Sequence, residues 1–333
     1  MIDGIAKGRL CMHTLEEATQ MIESGVPLMI SGARHLMDRL PAGNWIGGTS
    51  YYFMTEQGGR IEEELLHVQC LPRAVTQGAV KVYGKDNLKE VYRDIPRDGL
   101  AIIIMPAFSE AHRDFALHSN QYDEFALRPL MGWVAGVRRE EMLTTRAVVY
   151  DGRGAGFEEG AVVMHCTLKE QAMVHLDVVN IFRQGQGDAL TFPEDSFEVT
   201  ECWVNGEPRR FVDYLAEKNI DRRLPLVADY MGTSVNVDLG TVDETAGKVT
   251  LVAPVMRDIV YRFAAPISDY AEALRAALPT IEPSQLAFCV NCADNFLYGG
   301  LEGRELGVFV GPCTFGEVAY QLLNQTIVYA LIR

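Results

Sequence analysis

Between residues 14 and 137 short helical stretches alternate with apolar runs, whereas from 145 to 265 the chain reads almost wholly as strands and hairpins. Few folds accommodate both textures. Helices and strands in alternation require a sheet with helices packed on it, and a long strand-rich tract requires antiparallel hairpins that bury one face. Together they predict an α+β (mixed α/β) fold of two tightly packed sub-domains, with mixed sheets covered by helices. The expected division is 1–190 and 191–333, about the size of ordinary domains.

Local signals place the elements. Thr14-Leu15-Glu16-Glu17 is a capping box, in which the Thr14 hydroxyl takes the Glu17 amide and the Glu17 carboxylate returns to the Thr14 amide, so a helix is expected from 15 to 24. Gly25 stops it, and 26–30 reads as a strand. Further helices are expected at 33–39, 86–93, 109–118, 211–218 and 268–278, and strands at 44–53, 100–105, 132–137, 145–151, 161–166 and 285–291. Asn205-Gly206 supplies the two left-handed residues of a tight hairpin.

Charge limits the partners. The formal net charge of −15 would repel a phosphate backbone, so no nucleic acid is expected. The longest apolar run, 100–108, is far shorter than the roughly 20 residues of a membrane-spanning helix. No membrane partner is expected. The opening residues carry acids and no apolar signal core, and seven cysteines scattered through the chain suit reduced thiols, which together predict a cytoplasmic protein.

Several patterns invite a chemical reading beside a plainer one. Cys313, in Gly311-Pro312-Cys313-Thr314-Phe315-Gly316-Glu317, follows an apolar run and is either a nucleophile or a thiol lining a turn; a nucleophile requires a lowered pKa, and no histidine follows position 175. Cys289-Val290-Asn291-Cys292 has zinc-like spacing but lacks a second pair, so no metal is expected. His175 and Asp177 share one face of a strand and form a candidate base pair, the alternative being a solvated face, as for Glu110, Asp114 and His118. Either Cys313 or the His175/Asp177 pair would carry the alternative reading of a hydrolase or transferase. The glycines of 152–160 have the wrong spacing for a dinucleotide loop and precede a strand, so a hairpin loop is expected there and no cofactor.

Two glycine-rich strand exits remain. Gly47, Gly48, Thr49, Ser50 and Tyr52 form one, and Gly311, Cys313, Thr314, Phe315 and Glu317 the other. Glycines let a ligand approach the backbone, hydroxyls orient it, Tyr52, Trp133 or Phe315 offer an apolar wall, and Glu317 suits an ammonium group. Turns closed by small residues, with no ligand, account for the same residues. The stretches 45–51 and 309–315 also share an order: an apolar pair, glycine, small residues, a hydroxyl residue and an aromatic. That echo suggests an internal duplication.

Four stretches, WIGGTSYYF, PLMGWVAGV, FEVTECWVNGEPRRFVDYLA and GPCTFGEVAYQLLNQTIVYAL, resemble the FIST family of sensory proteins. In the last of these Gly311, Thr314, Gly316, Glu317, Asn324 and Thr326 fall where the family's closing motif has matching residues. Tyr51-Tyr52-Phe53 departs from the first motif, and the arginine often found after the family's penultimate strand is missing after Cys292. The resemblance implies a FIST N-like domain (1–190) and a FIST C-like domain (191–333) that bind a small ligand, such as an amino acid, without enzymatic activity. With no output module in the chain, a signal would pass to a separate partner or through a homodimer.

Overall fold

The computed structural model describes residues 11–142, 144–230 and 233–333; residues 1–10, read above as lacking a secretion signal, lie outside them. The fold is α+β and rich in strands, with 16% helix and five mixed or antiparallel sheets among the described residues. The chain forms two compact units that are not consecutive halves. Unit 1 comprises 1–178, 279–321 and 327–333, and unit 2 comprises 179–278 and 322–326. The expected boundary at 190/191 falls inside unit 2. The last strands return to the first unit because they pair there: Cys313 stands opposite Tyr52, and Ile327–Ile332 is paired to Leu286–Cys292.

Unit 1 is built from one motif used three times. In each copy a lead strand is followed by a helix and then by a partner strand parallel to the lead. The first copy has Leu28–Gly32, Arg34–Met37 and Trp45–Thr49; the second has Gly99–Pro106, Glu110–His118 and Leu130–Ala135; the third has Leu286–Cys292, Ala293–Tyr298 and Gly311–Thr314. A return strand then lies antiparallel to the lead on its other side, as Leu66–Cys70, Ala161–Leu168 and Ile327–Ile332. Beyond each return strand sits an outer strand that precedes its copy in sequence, Met12–His13, Val75–Tyr83 and Val174–Val179.

The copies are interlocked by exchange. Tyr52–Thr55, which follows the first partner strand, pairs with the partner strand of the third copy; Val149–Tyr150, from the second, pairs with that of the first; Glu317–Ala319, from the third, pairs with that of the second. The exchange closes a ring. Gly47, Gly132 and Gly311 hold equivalent places in the three partner strands, and a Cβ at any of them would collide with the carbonyl oxygen of the adjacent lead strand, at Ile30, Ile103 and Cys289 respectively. Glycine is required there by the close approach of the backbones.

The two stretches of the sequence echo, 45–51 and 309–315, occupy equivalent places in this ring, and PLMGWVAGV is its third copy. The expected duplication is thus a triplication in the structure. The second copy carries an additional segment between its partner and exchanged strands, including the turn Arg139–Glu141. Along the sequence, residues 179–278 of unit 2 fall between the outer and lead strands of the third copy, where the first copy has the helix Leu15–Glu23.

Other local expectations are corrected by packing. The helix expected at 86–93 is a single 3-10 turn, Leu88–Glu90, whose neighbours Val91, Tyr92 and Ile95 are buried. The strand expected at 145–151 shortens to Val149–Tyr150. The 152–160 loop is not a simple hairpin between neighbouring strands, because Val149–Tyr150 and Ala161–Leu168 belong to different sheets; only Val149 and Phe157 bridge within it. The helix Ala293–Tyr298 directly after the Cys289/Cys292 strand had no sequence expectation.

Unit 2 is built of antiparallel strand pairs. One sheet runs Glu207–Arg210, Glu201–Val204, Leu190–Thr191, Tyr261–Phe263, Leu226–Tyr230, Thr233–Val237, and a smaller one joins Ser196–Val199, Lys248–Val255 and Leu239–Asp243. Asn205 and Gly206 take φ of 52° and 90°, as the hairpin turn demands. Helices Phe211–Glu217 and Tyr270–Ala277 cover it, the latter capped by Asp269.

Candidate functional site

The ring brings the predicted strand exits together. The Gly136 amide donates to the Thr49 carbonyl at 2.9 Å, the Phe315 amide to the Val134 carbonyl at 3.1 Å, and the Ser50 hydroxyl to the Cys313 carbonyl at 3.0 Å. Each bond runs from one copy to another, so the three exits are tied in a cycle. Phe315 lies against Gly136, where a Cβ would enter its ring, and so fills the space between two exits.

The hydroxyls expected to orient a ligand are committed to the backbone. Thr49 Oγ1 accepts from the Val148 amide at 3.1 Å, and Thr314 Oγ1 donates to the carbonyls of Asn291 and Gly316 at 3.3 and 3.1 Å. Thr49, Ser50, Tyr52, Trp133, Cys313, Thr314, Phe315 and Glu317 are all buried, with Gly47, Gly48 and Gly311 in the sheets beside them. Gly48 admits Ala135, Ile104 and the Trp133 indole nitrogen against its backbone. This inner layer fixes the exits in place. Glu317 faces Trp133 across its strand pair, and its charge bears on Cys313.

A polar cluster joins Tyr52, one of the predicted site residues, to Arg139, Asp294 and Tyr298, which the sequence reading did not single out. Tyr52 Oη accepts from the Arg139 amide at 2.8 Å, and the Tyr52 ring packs on Phe296 with centroids 5.5 Å apart. Arg139 Nη2 donates to the Tyr298 hydroxyl at 3.3 Å, while Nη1 stands 3.6 Å from Asp294 Oδ1. Asp294 is only 4% exposed, yet Oδ1 has no hydrogen bond. Arg138 beside it is held by Glu63 and, at 3.0 Å, by Glu140. Burial raises the pKa of Tyr52, so its hydroxyl keeps its proton near neutrality.

Three elements deliver this cluster. Arg138 and Arg139 stand where the second partner strand leaves the sheet, Tyr52 begins the first copy's exchanged strand, and Asp294 and Tyr298 lie on the short helix after the third lead strand. The signal in the sequence was an arginine pair directly after Gly136-Val137 and an acid directly after Cys292-Ala293.

The chemistry weighed for the other candidates is set by exposure. Cys313 is 1% exposed, and burial, then the neighbouring Cys289 and Glu317, raises its pKa, which disfavours a thiolate. Cys289 is likewise pushed up by burial, and the described cysteines are thiols outside any disulfide. His175 and Asp177 form an exposed pair 3.8 Å apart, with Asp177 accepting from the Tyr329 hydroxyl. Glu110, Asp114 and His118 lie on a solvated helix face, where His118 bonds Asp114 at 2.9 Å. Among the described residues no group of three or more His, Cys, Asp or Glu is placed to hold a metal, and no helix is long and apolar enough to cross a membrane.

A family model matches residues 13–333, nearly the whole described chain. The chain belongs to the DUF6976 family. That family is one of unknown function, and no curated protein matches the chain. The DUF6976 match covers all three copies of the ring motif in unit 1 together with the unit 2 insertion, so ring and insertion fall within a single family region.

Proposed function

We propose that unit 1 binds a small polar metabolite at the cluster of Arg139, Tyr52, Asp294 and Tyr298, and that the protein acts as a non-enzymatic cytoplasmic sensor. The observation that carries the reading is the Arg139–Asp294 pair. A charge-assisted hydrogen bond closes to about 2.8 Å, whereas this pair stands at 3.6 Å with Asp294 almost wholly buried. A guanidinium and a carboxylate so spaced, flanked by two phenols, suit a ligand bearing both a carboxylate and an ammonium group. An amino acid has that form. The buried exits, tied copy to copy, hold the cluster in register.

This reading keeps the sensory function that the FIST resemblance implies and moves the recognition from Thr314 and Glu317 to that cluster. Arg139 also supplies a guanidinium near the end of the third lead strand, where that resemblance has an arginine in the chain itself.

A thermal-unfolding screen against free amino acids, simple carboxylates and simple amines tests it. A ligand at about 100 times its Kd adds roughly 2.7 kcal/mol to stability. Amino acids are expected to raise the midpoint more than either half-ligand, and Arg139→Ala to abolish the rise. An equal response of wild type and variant overturns the site.

A further inference from the structure

Unit 2 contains a group of side-chain amides, of which Asn236, Asn324 and Gln325 are buried and Asn180 is half-buried. Asn180 and Asn236 form a reciprocal pair, Asn180 Nδ2 donating to Asn236 Oδ1 at 3.2 Å and Asn236 Nδ2 to Asn180 Oδ1 at 3.1 Å. The Asn236 amide also holds the Asn324 carbonyl at 3.0 Å. Next to it Gln325 Nε2 donates to the Arg223 carbonyl at 3.0 Å and to the Tyr270 hydroxyl at 3.3 Å, and Gln325 takes φ of 47°, in the left-handed region. A glutamine there is strained by about 1 kcal/mol or more, so these bonds fix a conformation the chain alone would not choose.

What the segment presents is unusual. Asn324 and Gln325 are both 0% exposed, and neither Asn324 Nδ2, Asn324 Oδ1 nor Gln325 Oε1 has a hydrogen-bond partner in the protein. An unpaired buried polar group costs about 1–3 kcal/mol, and three on adjacent residues exceed what a fold carries without a reason. Asn324-Gln325-Thr326 is also a glycosylation-type triplet, but burial of Asn324 removes it from any modifying enzyme in the folded protein.

We propose that Asn324 and Gln325 form a binding site for a small neutral molecule carrying a carboxamide or urea group. Such a group offers two N–H donors to the carbonyl oxygens of Asn324 and Gln325 and a carbonyl oxygen to Asn324 Nδ2. The same complementarity is already realised between Asn180 and Asn236. A charged guest is disfavoured, because the amides offer it no counter-charge.

The probe is acetamide, titrated into the full-length ¹⁵N-labelled protein while the side-chain NH₂ resonances of Asn324 are followed. A saturable shift of that pair is expected, with binding about tenfold weaker or lost in Asn324→Leu. If Asn324→Leu does not fold, the wild-type titration decides alone. A non-saturating drift, or no shift, overturns the proposal. So does a resonance that exchanges magnetisation with a long-lived water and ignores acetamide, which would reduce the guest to water.

Discussion

At the scale of single residues, three glycines carry the architecture. Gly47, Gly132 and Gly311 permit the close contact of partner and lead strands in the three copies. Gly132→Ala is expected to destabilise by about 3 kcal/mol or more, because the colliding atom is backbone and cannot swing aside. Urea unfolding measures it, and a loss below about 1 kcal/mol would show that the strands separate freely. The thiols make a second residue-scale test. Exposed Cys70 is expected to react with iodoacetamide well before buried Cys313, whose pKa is raised. Rapid, selective labelling of Cys313 would restore the reading of a nucleophile.

At the scale of elements, the first helix is fixed by its capping box, with the Thr14 amide bonded to the Glu17 carboxylate at 2.8 Å and the Glu17 amide to the Thr14 hydroxyl at 3.2 Å. Thr14→Ala is expected to cost about 1 kcal/mol in denaturant unfolding, and Thr14→Ser almost nothing. This helix, the helix Glu110–His118 and the Asn205-Gly206 hairpin were legible because their signals are local. The ring was not. Its copies share little beyond a glycine, and the exchanged strands Tyr52–Thr55, Val149–Tyr150 and Glu317–Ala319 pair with partners distant in sequence, which no periodicity records. The echo between 45–51 and 309–315 was readable since both exits keep a glycine and a hydroxyl residue. The second copy replaces the hydroxyl by Ala135 and escaped notice. Of the cluster only Tyr52 was read from the sequence; Arg139, Asp294 and Tyr298 were missed for the same reason, since Tyr52, Arg139 and Asp294 come from three different copies that the closed ring joins.

For the whole molecule, buried histidines give stability a pH dependence. Burial holds His67 and His165 at a pKa of about 4 and His112 at about 3, against about 6.5 in the unfolded chain. As pH falls through 6.5 the unfolded state takes up protons that the folded state refuses, so stability is lost between about 6.5 and 4, by up to about 1.4 kcal/mol per pH unit for each histidine. Urea midpoints measured from pH 7 to pH 4.5 are expected to fall, and His67→Leu to flatten part of the slope. In the proposed function, the ring of three strand exits positions Arg139 and Asp294 to receive a zwitterionic ligand. Calorimetric titration of free amino acids into wild type, Arg139→Ala and Asp294→Asn tests it most directly. Saturable binding by wild type is expected, with loss in Arg139→Ala and, in Asp294→Asn, a loss of preference for amino acids over plain carboxylates; unchanged binding in both variants, or no heat from any amino acid with wild type, would overturn the proposed site.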